Sequence, residues 1–370
     1  MDDSLLSNET NSFSDKKLAV RVVVGATCVL SMLGAVSILL SYACIKSLKS
    51  QGRTILLNLS LMDFGVGLFN FLGAVINFNQ YYTYYDPKTG LVTADSHPTV
   101  EKICISQAFL AHFCTGASVL WTAWLAVYMY MLVFQVYFGS KKFLSVGYAI
   151  CYGLPLGMSV WLLMTDRLGY SIYNEAAWCG LIVSNSTALT GLPDYFAITI
   201  GYDIWIYLTI ILTATIYPVL FTYLHIEYGQ ARKLVGGIQY WREALVFLDV
   251  KLIAIPIAFV ILRMWTAILN ILIIYAMIPP DNIPTSISTA LIYLSGIGDS
   301  GQGFVNGLLF VFLTREVRKR LFCKRRHKQE DKRQLLTSEN QRIHGNVRCN
   351  ERQRTYSPSE SLRVESDVDG

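Results

Sequence analysis

The stretch from Cys104 to Val133 contains no Lys, Arg, Asp or Glu and no proline. At 1.5 Å of rise per residue it is longer than the roughly 20 residues needed to cross a bilayer as a helix, so it has room for tilt and for one helical end in water. Six further apolar runs of spanning length accompany it, at 21–45, 55–78, 144–164, 203–225, 252–276 and 286–313. Apolar residues make up 53% of the 370-residue chain, charged residues 15%, and mean hydropathy is +0.40. These values exclude an ordinary soluble domain and predict an all-α membrane protein, a seven-transmembrane helix bundle. The net charge of +5 gathers at the ends of the apolar runs, so no nucleic-acid partner is indicated.

Charge placement predicts the orientation. The connections after runs one, three and five carry Lys46, Lys49, Arg53, Lys141, Lys142, Arg232, Lys233, Arg242 and Lys251, and the segment after run seven adds a dense basic cluster. The connections after runs two, four and six carry Lys88, Lys102 and Arg167 among several acidic residues. The positive-inside rule then places the N-terminus outside and the C-terminus in the cytoplasm, with Lys16, Lys17 and Arg21 outvoted. Residues 1–20 form an extracellular leader, 21–313 the bundle, 314–327 a juxtamembrane amphipathic helix and 328–370 a disordered cytoplasmic tail. The leader lacks the features of a cleavable signal peptide, so the first run acts as the insertion signal.

That topology sets Cys104 and Cys179 on one outer face, where a disulfide is expected. It does the same for the glycosylation sequons at Asn8 and Asn185, whereas Asn58-Leu59-Ser60 lies inside run two and is discounted. The tyrosines at 81, 82, 84 and 85 fit either an interfacial belt or the wall of a site entrance.

Polar residues inside the runs are expensive and mark function or helix–helix contacts. Run two places Asn58, Asp63, Asn70 and Asn77 at intervals near one face, with Asp63 either functional or a neutral hydrogen-bonding group. Asp203 either marks the membrane edge or faces inward. Arg263 lies about 18 Å beyond Lys251, and Asp299 about 22 Å from Thr314, a nearly matched depth that makes them a candidate pair, with Asp63 as the competing partner. Pro218 and Pro256 are hinges or fixed kinks. From Arg315 to Arg333 there are ten basic and three acidic residues, suited to the anionic inner leaflet. Within that stretch Cys323 is either acylated or a free thiol, and the tail beyond Gln334 carries phosphorylatable Ser and Thr. A retinal protein would need a lysine deep in run seven, but none occurs between Lys251 and Lys319. A metallohydrolase would need several ligands, and His112 is the one histidine well inside a run, read in that context as a packing residue. A transporter of a small polar solute, with Asp63, Asp203, Arg263 and Asp299 as a relay, and a scaffold acting through the tail remain as alternatives.

The motifs spread over residues 18–325 resemble G-protein-coupled receptors of the branch that links secretin-like receptors with slime-mould cyclic-AMP receptors. They are Leu57, Leu59, Ser60, Leu61 and Asp63; Trp121, Thr122, Tyr128 and Tyr130; Gly153 and Pro155; Trp178-Cys179; Lys251-Leu252, Pro256 and Leu262-Arg263-Met264-Trp265; Gln302-Gly303, Phe310, Phe312 and Glu316-Val317. The Asp-Arg-Tyr and Asn-Pro-x-x-Tyr patterns of rhodopsin-like receptors are missing, and a leader of about 20 residues without cysteine leaves out a hormone-capture domain. The resemblance implies a non-enzymatic orphan receptor with no metal or prosthetic group, an unknown extracellular agonist, a heterotrimeric G protein, and a receptor kinase and arrestin at the tail. It implies a ligand pocket drawing on Gln107, His112, Asp203, Trp265 and Asn270. The polar core would hold Asn58, Asp63, Arg263, Asp299 and Gln302. The G-protein face would comprise Tyr128, Tyr130, Lys141, Lys142, Lys251 and Glu316.

Overall fold

Continuous apolar sequence with few helix breakers is suited in hydrocarbon to a helix that satisfies its own backbone, and the described residues form seven long helices. The computed structural model describes residues 3–44, 51–76, 78, 98–136, 139–170, 178–181, 199–235, 250–272 and 285–314. Its long helices are α1 (Asp3–Cys44), α2 (Gln51–Val75), α3 (Pro98–Val133), α4 (Ser140–Met164), α5 (Ile204–Val235), α6 (Val250–Asn270) and α7 (Thr285–Leu313). A π-helical turn, Thr199–Asp203, leads into α5. Residues 18–44 of α1 and helices α2 to α5 are long and apolar enough to cross a membrane, and α6 holds a shorter apolar stretch, Ala254–Asn270. In α7 the apolar content is diluted by Asp299, Gln302 and Asn306.

α3 packs against α2, α4, α5 and α6. Its inward positions are fully buried at Trp121, Leu125, Ala126 and Met129. Large apolar side chains on the rims of the other helices, such as Leu33, Ile211 and Phe312, are exposed, as expected where lipid replaces protein. α1 runs without interruption through Lys16 and Lys17 to Asp3, so the polar segment before the first apolar run continues its helix. Arg21 also has a local task. It donates to Ala74 O at 3.0 Å and Val75 O at 3.3 Å, supplying a cation and two donors to the open carbonyls at the end of α2.

At one end of the bundle, Cys104 in α3 is disulfide-bonded to Cys179, with Cα atoms 5.5 Å apart. Two short strands, β1 (Leu168–Gly169) and β2 (Gly180–Leu181), pair antiparallel beside it. Phe78, Ala108, Leu162 and Leu168 pack around the bridge. This is termed the disulfide end below.

Candidate signalling site

The polar residues of the spans meet in several clusters, and helical rotation decides which residue joins which. Asn58 and Asp63 are five residues apart, about 140° around a helix at about 100° per residue, so they face different neighbours. Asn58 turns towards α4, where Tyr152 OH donates to its Oδ1 at 2.9 Å and its Nδ2 donates to Tyr148 OH at 3.2 Å. Both tyrosines edge onto Trp121. The run-two polar residues therefore do not share one face.

Asp63 lies seven residues before Asn70, on the side that looks into the bundle. Its Oδ1 accepts from Ser118 of α3 at 2.6 Å and its Oδ2 from Asn306 of α7 at 2.8 Å. The carboxyl is buried and joins three helices. From Ser118 the chain of contacts continues: Thr122 Oγ1 donates to Ser118 O, and Gln302 Nε2 donates to Thr122 Oγ1 at 3.3 Å. Asn70 Nδ2 donates to Ser300 Oγ at 3.4 Å, a further contact between α2 and α7.

Arg263 forms an ion pair with Asp299. Its Nη1 lies 2.6 Å from Asp299 Oδ1, which also accepts from Thr266 Oγ1 at 2.8 Å. Arg263 is one of the largest fully buried side chains, while the Asp299 side chain is 20% exposed. A buried guanidinium needs this carboxylate, because an uncompensated charge there would be very costly. α6 and α7 approach so closely beside the pair that a Cβ on Gly298 would collide with Leu262 O.

The residues assigned to a ligand pocket divide similarly. Asp203, at the end of the π-helical turn that leads into α5, meets Asn270 of α6, with Asn270 Nδ2 donating to Asp203 Oδ1 at 2.7 Å, and Asp203 is buried. Trp265 is half-buried on α6. His112 Nδ1 lies 2.9 Å from Ser159 Oγ of α4. Gln107 Oε1 accepts the Cys179 N–H at 3.1 Å, so it holds the disulfide-bearing segment onto α3.

At the opposite end Tyr128 and Tyr130, two residues apart, point to different sides of α3. Tyr128 is near Phe143 of α4, with ring centroids 6.2 Å apart. Tyr130 packs on Phe134, which meets Tyr223 of α5 at 4.7 Å. Lys141 and Lys142 are exposed at the start of α4. Glu316, Cys323, Asn185, the tyrosines at 81–85, the amphipathic segment and the tail lie outside the described residues, as do the side chains of Asn8 and Lys251. Ser118, Thr266, Ser300 and Asn306, which complete these clusters, carry no charge and have no sequence signal that separates them from other small polar residues.

The sequence pattern described as 7 transmembrane receptor (Secretin family) matches residues 15–276. G-protein coupled receptor 157 of Rattus norvegicus is 27% identical over 309 residues, covering 82% of this chain and 84% of that protein. The protein of the same name from Homo sapiens is 25% identical over 308 residues, covering 82% and 83%. Among solved structures, squid rhodopsin superposes with a TM-score of 0.60 at 12% identity, covering 82% of this chain and 83% of that one, a likeness of fold.

Proposed function

The chain belongs to the secretin family of seven-transmembrane receptors, and we propose that it receives its signal at the disulfide end and passes it to a heterotrimeric G protein at the other. The observation that carries this direction is the separation of chemistry along α3 and α4. The disulfide needs an oxidising compartment and sits near the start of α3, whereas exposed Lys141 and Lys142 begin α4 after α3 has crossed to the far side. The disulfide end is then extracellular at the plasma membrane, with glycans at Asn8 and Asn185. The basic segment after α7 rests on the anionic inner leaflet, Cys323 takes an acyl chain there, and the phosphorylated tail recruits arrestin.

Within this reading Asp203, Asn270, Trp265 and Gln107 border the agonist site, with His112 behind them. Asp203 is the counterion for a cationic group. The α6 helix is pinned to α7 at Arg263–Asp299, and Pro256 lies on the far side of that pin from Asn270. A bend at Pro256 swings the Lys251 end while the pin holds, opening a surface that includes Tyr130, Lys141, Lys142 and Glu316. Agonist drives this only to the extent that it binds the open arrangement more tightly than the closed one.

A panel of G-protein activation sensors tests the proposal in cells expressing the full chain, with Tyr130→Ala and Lys251→Ala as coupling variants. Basal or agonist-driven signal in at least one channel, lost in the variants at equal surface level, is expected. Silence in every channel together with solute flux would replace the receptor by the transporter.

A further inference from the structure

A crevice of about 330 Å³ opens between α2 and α3 at the disulfide end. Its α2 wall is apolar, Phe69, Leu72 and, just past the helix end, Ile76, at spacings that share one helical face. Its α3 wall is graded. Lys102 comes first, Ser106 one turn further along, and Leu110 one turn beyond that, about 12 Å from Lys102 at the helical rise. Leu72, Ile103 and Leu110 are 39%, 46% and 36% exposed, so the crevice opens on the surface that faces lipid rather than into the bundle.

We propose that this crevice binds a single-chain anionic lipid, a long-chain carboxylate whose head meets Lys102 and whose tail runs down against Leu72 and Leu110. The order of cation, hydroxyl and apolar wall is the order of chemistry across one leaflet, so the ligand enters sideways in the orientation it already has in the membrane. The volume lies at the low end of the roughly 300–1,000 Å³ of small-molecule pockets, which suits one acyl chain and not two. Gln107 also lines the crevice. It is 4% exposed and five residues, about 140°, around α3 from Lys102, so it borders the crevice from its buried side. Its Oε1 is already committed to the Cys179 N–H, so the amide that borders the lipid also anchors the disulfide-bearing segment. The site rests on the membrane-spanning fold and is independent of the direction of signalling proposed above.

The full-length chain in phosphatidylcholine nanodiscs, photolabelled with diazirine-bearing palmitic acid or with its methyl ester, tests this. Adducts should concentrate within 69–76 and 99–110, with the acid labelling more strongly than the ester. Lys102→Gln should lower labelling by the acid up to about fivefold, to the level of the ester, as expected for loss of one partly solvated ion pair. Leu72→Trp, or Ile103→Trp should the first variant fail to reach the melting temperature of the unmodified chain, should remove labelling by both probes. Equal labelling by acid and ester, or adducts spread evenly over all lipid-facing helices, would overturn the site and leave ordinary annular lipid.

Discussion

The seam between α1 and α7 and the seam between α5 and α6 are built on opposite principles. Between α1 and α7 the backbones nearly touch. A Cβ on Gly34 would strike Gly303 O and lie 2.7 Å from Phe304 Cα, and one on Gly307 would lie 2.6 Å from Gly34 Cα. Ser31 Oγ accepts the Gly303 N–H at 3.0 Å in the same place. Between α5 and α6 the described contacts are sparser, and side chains bridge the gap: Asn270 to Asp203, and Tyr207 OH to Ala267 O at 3.4 Å. Each of these two helices also contains a proline, Pro218 and Pro256. Glycine against glycine leaves no rotamer to change, so that seam moves as one body. Polar bridges can exchange partners, and proline removes a backbone bond that would resist bending, so relative motion belongs to α5 and α6.

The largest test of this contrast is Gly307→Val or Gly303→Leu. Either forces α1 and α7 apart, and near-complete loss of surface receptor is expected, since backbone cannot yield as a side chain would and the cost exceeds the roughly 1–3 kcal/mol of overpacking in a core that can relax. Gly153→Ala, where nothing lies within 4 Å of the added carbon, should leave expression unchanged. Normal surface levels for both α7 variants would abolish the distinction between the two seams.

Next in size is the pin between α6 and α7. Arg263→Gln or Asp299→Asn alone should lower stability by about 3–5 kcal/mol, read as a drop in the melting temperature of purified protein, because each strands its partner. The double variant should be less damaging than the sum, and additivity in the cycle would remove the coupling.

Ser118→Ala takes one donor from Asp63 and should cost about 1.5–3 kcal/mol by the same measurement. Asn270→Ala should be mildest, about 1 kcal/mol, since it loosens a seam that is already adaptable. Its sharper effect should be on basal G-protein signal, which is expected to change at unchanged surface level. A melting loss for Asn270→Ala as large as that for Ser118→Ala would make the α5–α6 seam as rigid as the rest.

The fold was legible because hydrocarbon imposes a simple demand on sequence, and Cys104–Val133 meets it without a charge. Two charges and the helical rise made Arg263 and Asp299 a candidate pair but left Asp63 as a competitor, and counting crossings put Cys104 and Cys179 on one face. Rotation about each helix was less accessible. Asn58 and Asp63 look like neighbours on a line of polar residues, yet a separation of five sends them to different helices. Tyr128 and Tyr130 diverge for the same reason. Small hydroxyl residues were illegible for another: in a helix they serve equally well by bonding their own backbone, as Ser60 does to Leu56 O and Thr27 to Val23 O. Nothing in the letter Ser marks Ser118 as the one that reaches a carboxylate.

Asp63 finally bears on how the chain is made. Its two partners lie 55 and 243 residues downstream. At a synthesis rate of about 5–20 residues per second, Asn306 emerges roughly 10–50 s after Asp63 has left the ribosome. Arg263, by contrast, waits only 36 residues for Asp299. Asp63 therefore passes most of the synthesis of the bundle with Ser118 as the one of its two partners already made, and the bundle closes around it when the last span arrives.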